Sequence, residues 1–249
     1  MKSIFKDTRT IFSISSKPGI FGSRLYPELF AEYGLNISYQ TLAVSCESHL
    51  MKIFDLFRLT DEFHGLSISM PYKYAAGLAF PDRHGSHPEG VNSVNTVVKT
   101  EKGIYSCSTD ISFFDIFSER FRMPVATVFI YGDGAMGSMA CGYFSKYGHD
   151  TVVIRRGELD KFMPLILEST NCYFVNCTPA RIEDIRITPS KSCIVLDLPV
   201  RYNHPYEEDQ FTMTGYTCAM VQLRGQFEIY TGIRIDLALV EDVCSRLFY

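Results

Sequence analysis

Residues 125–137 read VATVFIYGDGAMG: the apolar run VATVFIY is followed at once by GDGAMG. A seven-residue apolar run with no alternation suits a strand buried on both faces, the central strand of a parallel sheet. Parallel strands need crossover connections, so this stretch commits the chain to βαβ units. The glycines fit G-x-G-x-x-G between that strand and a helix predicted from about Ala135 to Tyr147, the context that gives the pattern meaning. Gly132 allows the tight turn, Gly134 lets backbone approach a pyrophosphate, and Gly137 lets helix pack on strand. Ala135 and Met136 open the helix, whose N-terminal N–H groups attract an anion. A glycine-rich turn without a ligand is the plainer reading. Asp133 would repel a pyrophosphate, so it must point away or be solvated.

The rest of the chain repeats the alternation. Strands are expected at Ile11–Ser15, Ile37–Ala43 and Gly65–Ser69, and helices at Tyr26–Tyr33 and His49–Leu59, the first ending at Gly34 as a C-cap. Val94–Lys99 and Ile104–Ser108 form a hairpin around Lys102-Gly103. Residues 112–124 read as a connecting helix with Phe113, Phe114, Phe117 and Phe121 on its core side. Strands follow at 151–154, Cys172–Asn176 and Cys193–Leu198, and the tail from about Gly215 returns to helix. The expectation is an α/β protein of two domains. An N-terminal substrate-binding domain takes residues 1–115 plus 215–249, its last helices packing back on it, and a Rossmann-like domain takes 124–214.

The 249 residues are 46% hydrophobic and 21% charged, enough for a packed core. Net charge is −4, which argues for neither nucleic acid nor an anionic membrane. No apolar run spans a bilayer and the N-terminus is broken by charge, so a cytoplasmic protein is expected. The eight cysteines form no CxxC pair and read as buried thiols. His84 and His87 sit in a glycine-rich loop without zinc spacing, so no metal is expected. His49 and His64 read as surface or capping residues, and the Glu207-Glu208-Asp209 run as a solvated loop.

The second strand of the glycine-loop unit ends in Arg155-Arg156 rather than an acid. Two guanidinium groups there suit a 2′-phosphate, so NADP is favoured over NAD; two solvated surface arginines are the alternative. Lys73 in SISMPYKYAA stands where a strand becomes a helix, as a solvated loop charge or as a group facing a ligand. With Asp110 it could serve ketone/alcohol interconversion, but spacing does not single this pair out.

A resemblance does. SISMPYK is similar to the strand-Pro-x-Lys motif of the shikimate dehydrogenases, SVNTVV at 93–98 to their A-V-N-T, STD at 108–110 to their N-T-D, and VNCTP at 175–179 to their N-x-T-P. VQLRGQFEIYTGIRID resembles their closing helix, and PGIFGSRLYPELFAEYGLN with SMPYK resembles the divergent shikimate dehydrogenase-like subgroup. The resemblance implies Lys73 and Asp110 as the catalytic pair. It implies Ser69, Asn95 and Gln222 as substrate-binding residues, and Arg155 as the NADP-selecting arginine beside Arg156. Thr178 would lie near the nicotinamide, and Asp197 and Tyr202 fall in a D-x-x-Y segment that packing explains as well. The substrate implied is a cyclic keto acid, 3-dehydroshikimate or a relative, handled by a monomer or homodimer. Alternatives are a quinate-type or other polyol dehydrogenase and a non-catalytic dinucleotide-binding paralogue.

The chain departs from that family at three places. Ile20-Phe21-Gly22 stand where its S-x-S pair grips the substrate carboxylate, leaving Ser23 as substitute and Tyr26 nearby. Ser108 replaces the asparagine of N-T-D. The stretch between Arg156 and Cys172 reads as a trimmed βα unit.

Overall fold

A computed structural model of the chain describes residues 9–81, 92–122, 124–180, 182–199 and 210–248. His84, His87, Tyr202 and the 207–209 acidic run lie outside them. The described residues fall into two compact units, one of 9–81, 92–109 and 223–248, the other drawn from 110–222.

Unit 1 opens with β1 (Arg9–Ser15), α1 (Phe21–Glu32), β2 (Ile37–Ala43), α2 (Glu47–Leu59), β3 (Phe63–Ile68) and α3 (Lys73–Ala79). The hairpin β4 (Thr96–Thr100) and β5 (Gly103–Cys107) completes its sheet. The order is β2-β1-β3-β4-β5, with β1 parallel to β2 and β3, and β4 antiparallel to β3 and β5. On one face Leu50, Phe54 and Phe57 of α2 join Ile14, Leu66, Ile68 and Val97 in a closed cluster. The opposite face is aromatic: Tyr26 stacks on Phe30, and Phe30 on Phe227. Gly34, at φ +62°, ends α1 as expected, its N–H bonding Ala31 O.

In unit 2 a 3-10 turn (Thr109–Ile111) leads into α4 (Ser112–Phe121), β6 (Thr127–Tyr131), α5 (Ala135–Lys146) and β7 (Asp150–Ile154). Then come α6 (Leu159–Glu168), β8 (Cys172–Asn176), α7 (Ile182–Ile185), β9 (Cys193–Asp197) and β10 (Thr212–Thr214). The sheet runs β10-β9-β8-β6-β7 and every pairing in it is parallel. That is why VFIY and CYFV are apolar throughout: Val128, Phe129, Ile130 and Phe174 are buried. Phe113, Phe114 and Phe117 of α4 are buried, as their helical spacing required.

The trimmed βα unit is a correction. Between Arg156 and Cys172 lies α6, ten residues long, with Ile166 buried and Leu159, Phe162 and Met163 against the same core. Pro164 inside the helix hid it. The apolar residues still recur at helical intervals, and they win because that face has a sheet to cover.

The tail is α8 (Gly215–Thr231) and α9 (Leu237–Phe248). From Leu223 onward both belong to unit 1, where Phe227, Val240 and Val243 are buried and α9 packs on α1. No helix of the described residues is long and apolar enough to cross a membrane.

Candidate functional site

In unit 1 the chemistry gathers at the C-terminal end of the parallel strands, where open α/β sheets bind their ligands. β3 ends at Ile68, Ser69 N donates to Ile14 O, and a cis Met70–Pro71 bond leads to Lys73 at the head of α3. The Lys73 carbonyl accepts from Val94 N at 3.0 Å, tying α3 to the segment that carries Asn95. Lys73 is only 9% exposed. Ser69 is exposed.

Asn95 is fully buried. Its Oδ1 accepts from Thr96 Oγ1 (2.6 Å) and Thr109 N (3.0 Å), and its Nδ2 donates to Thr109 Oγ1 (3.0 Å). These bonds fix the amide's orientation and hold the start of the turn that carries Asp110. Asp110 itself, the first described residue of unit 2, is 1% exposed.

The glutamine at the centre of unit 1 is Gln226, which the sequence reading missed. It is 2% exposed, and its Nε2 donates to Asn95 O (3.0 Å), Thr96 Oγ1 (3.0 Å) and Ser67 Oγ (3.2 Å). Its Oε1 accepts from Tyr26 OH at 2.8 Å. Gln222, one helical turn earlier, is half-buried and counted with unit 2. The available signal was the i, i+4 spacing, which puts both amides on one face of α8.

Burial pushes the Tyr26, Tyr39 and Tyr230 phenols up, so they stay neutral donors through physiological pH. At the departure from S-x-S, Ser23 Oγ donates to Ile20 O (3.0 Å) within the first turn of α1. A Cβ at Gly22 would lie 3.1 Å from Tyr39 OH. A phenol hydroxyl therefore stands against the position where the serine is lost.

In unit 2 the glycine turn has the demanded geometry. Gly132 sits at φ +113°, closed to other residues, and its N–H bonds Ile154 O at 2.8 Å. A Cβ on Gly137 would fall 1.8 Å from Gly132 O, so helix and turn touch backbone to backbone. A Cβ on Gly134 would meet nothing within 4 Å. No side-chain hydrogen bond caps α5 at Gly134, where the helix begins with Ala135 and Met136. That cradle fits a dinucleotide pyrophosphate.

Beside it, Asn176 cross-links the loop after β8. Its Oδ1 accepts from Thr178 N (3.0 Å) and Thr178 Oγ1 (2.8 Å), and its Nδ2 donates to Asp197 Oδ1 (2.6 Å) and Ala180 O (2.8 Å). The Thr178 methyl would lie 3.0 Å from a Cβ at Gly132, so this loop packs on the glycine turn. Asp197 is buried and serves this network. Arg155 and Arg156 are exposed just past β7, and the Asp133 carboxylate lies 3.4 Å from Arg155 Nε.

No family model matches the chain. In sequence it is similar to the shikimate dehydrogenase-like protein of Haemophilus influenzae, 26% identical over 269 residues that cover 97% of each chain. In fold it is similar to a solved shikimate 5-dehydrogenase-like protein, with a TM-score of 0.75 at 21% identity over 96% of this chain and 97% of the other. It is also similar to the shikimate 5-dehydrogenase of Thermus thermophilus solved with NADP(H) and shikimate, with a TM-score of 0.72 at 20% identity over 95% and 99%. The resemblance read from SISMPYK, SVNTVV and GDGAMG thus extends along nearly the whole chain: in sequence it is similar to a shikimate dehydrogenase-like protein, and in fold to the shikimate dehydrogenases.

Proposed function

We propose that the protein is an NADP-dependent oxidoreductase that interconverts a cyclic keto acid, 3-dehydroshikimate or a close relative, and its hydroxy acid. The observation that carries this is Lys73, a lysine only 9% exposed at the head of α3, just past the C-terminal end of β3. Lysines are rarely so buried unless polar groups oppose them. Unit 1 is the substrate-binding part, with Ser23, Ser69, Asn95 and Gln222 as candidate contacts and Gln226 holding Asn95 in place. Unit 2 is the cofactor-binding part, through Gly132, Gly134, Ala135, Met136, Gly137, Arg155, Arg156 and Thr178.

NADPH, held by the unit 2 residues named above, would supply a hydride. Lys73 donates its proton to the carbonyl oxygen as that oxygen gains charge, and takes it back in the reverse direction. Asp110 is the carboxylate this reading assigns as the second member of the catalytic pair. Acid–base help of this kind contributes about 10²–10⁴ in rate. Gly22 beneath the Tyr39 hydroxyl favours a substrate whose acid group differs in placement from that of shikimate. That favours trying the quinate-type and other polyol alternatives in the same panel.

The test is NADPH titration followed by a panel of cyclic hydroxy and keto acids. Lys73→Ala should bind NADPH as the parent does and lose about 10²-fold or more in turnover. Undiminished turnover in that variant removes Lys73 from the chemistry. Cofactor binding without turnover on any compound favours a non-catalytic paralogue.

A further inference from the structure

Tyr131 and Ile154 are register partners at the ends of β6 and β7, so the glycine turn and Arg155 leave the sheet side by side. There Asp133 Oδ2 lies 3.4 Å from Arg155 Nε, with the two side chains 56% and 72% exposed. A second carboxylate is close: Glu158 Oε2 accepts from the Arg155 backbone N–H at 3.4 Å. Glu158 thus engages the backbone of Arg155, while Asp133 engages its guanidinium. The end of the second strand in such a unit is where an adenosine ribose is held, by an acid for its 2′-hydroxyl or by an arginine for a 2′-phosphate. Here an acid and an arginine meet at that place.

We propose that Asp133 sets the dinucleotide selectivity of this protein by competing with the ribose 2′-phosphate for Arg155. The proposal rests on the dinucleotide reading of unit 2 given above. Without phosphate, the carboxylate holds the guanidinium beside the turn. A 2′-phosphate must displace that carboxylate and then sit near its negative charge. The preference for NADP over NAD is therefore weaker than Arg155 and Arg156 alone would give. Both groups face solvent, so the effect is modest and sensitive to salt.

The experiment is calorimetric titration of NADP+, NAD+ and adenosine 2′-monophosphate into the full chain and its variants, at low and high salt. Asp133→Asn should tighten NADP+ and adenosine 2′-monophosphate by about three- to tenfold at low ionic strength and change NAD+ by less than about twofold. The gain should shrink at high salt. Arg155→Ala should lose most of the NADP preference, and in that background Asp133→Asn should gain less than about twofold, because nothing remains to compete for. Looser NADP+ binding in Asp133→Asn, an equal gain for NAD+, or the full gain without Arg155 would each overturn the proposal. Unchanged circular dichroism and melting temperature establish that the exposed substitutions leave the fold intact. A parent protein that binds neither dinucleotide removes the cofactor reading, and this proposal with it. A parent that binds both, with an indifferent Asp133→Asn, removes this proposal alone.

Discussion

At position 137 one methyl group decides whether the glycine turn can form. An alanine Cβ would stand 1.8 Å from the Gly132 carbonyl oxygen, a backbone atom that no side-chain rotation can move aside. Gly137→Ala should lower stability by about 1–3 kcal/mol and weaken dinucleotide binding, whereas Gly134→Ala, with open space around its Cβ, should leave the melting temperature unchanged. Gln226 is the other residue with large consequences. Gln226→Leu leaves Tyr26, Thr96 and Ser67 without their shared partner in a buried setting, and should cost about 2–4 kcal/mol in urea unfolding. The two residues differ in how readable they were. Gly137 stands in a pattern whose spacing states its backbone role. Gln226 looks like Gln222 until the sheet is folded beneath α8, because only tertiary contact separates two amides on one helix face.

The strand β3 carries a histidine that responds to acid. His64 Nε2 meets Tyr230 O at 2.8 Å, and burial, with Arg9 nearby, holds its pKa below the ordinary value. A base with a lowered folded pKa stays neutral in the fold while the unfolded chain takes up a proton. Its contribution is complete above the unfolded pKa of about 6.5 and is lost as pH falls through that value toward the folded one. Stability measured by urea unfolding should therefore decline as pH falls below about 6.5, and His64→Gln should flatten that decline. The sequence reading took His64 for a surface or capping residue, but it is half-buried with its ring against Tyr230 O in the last turn of α8; which helix it meets was not legible, because the contact spans 166 residues. The adjoining Gly65 gives the Tyr230 ring room, its Cβ position lying 2.9 Å from the ring. The long apolar strands, β6 and β8 above all, were legible to within two residues because both faces are covered. The helix α6 was not, because a proline inside it carries the same letter as a proline that ends one.

For the molecule as a whole, the division into units matters most. Unit 1 is discontinuous, built from the early strands and from residues 223–248. Those late residues place Phe227, Tyr230, Val240 and Val243 in its core, each 2% exposed or less. Burying side chains of this size stabilises by about 1.5–3 kcal/mol apiece, so a chain ending after Gln222 should fail to fold unit 1 and should precipitate or bind a hydrophobic dye. The alternation of strand and helix made both units foreseeable, and so did the return of the last helices. Which residues of α8 serve which unit was not, since the helix is one unbroken run in the sequence.

That arrangement has a consequence during synthesis. A ribosome delivers residues 110–222 as one continuous stretch, so the unit with the glycine turn has all its parts before translation ends. The unit with Lys73 begins earlier and is finished later, because the helix residues that cover its sheet leave the exit tunnel after all of 110–222. Until then its aromatic face is open, and a chaperone that holds nascent chains should find its target there.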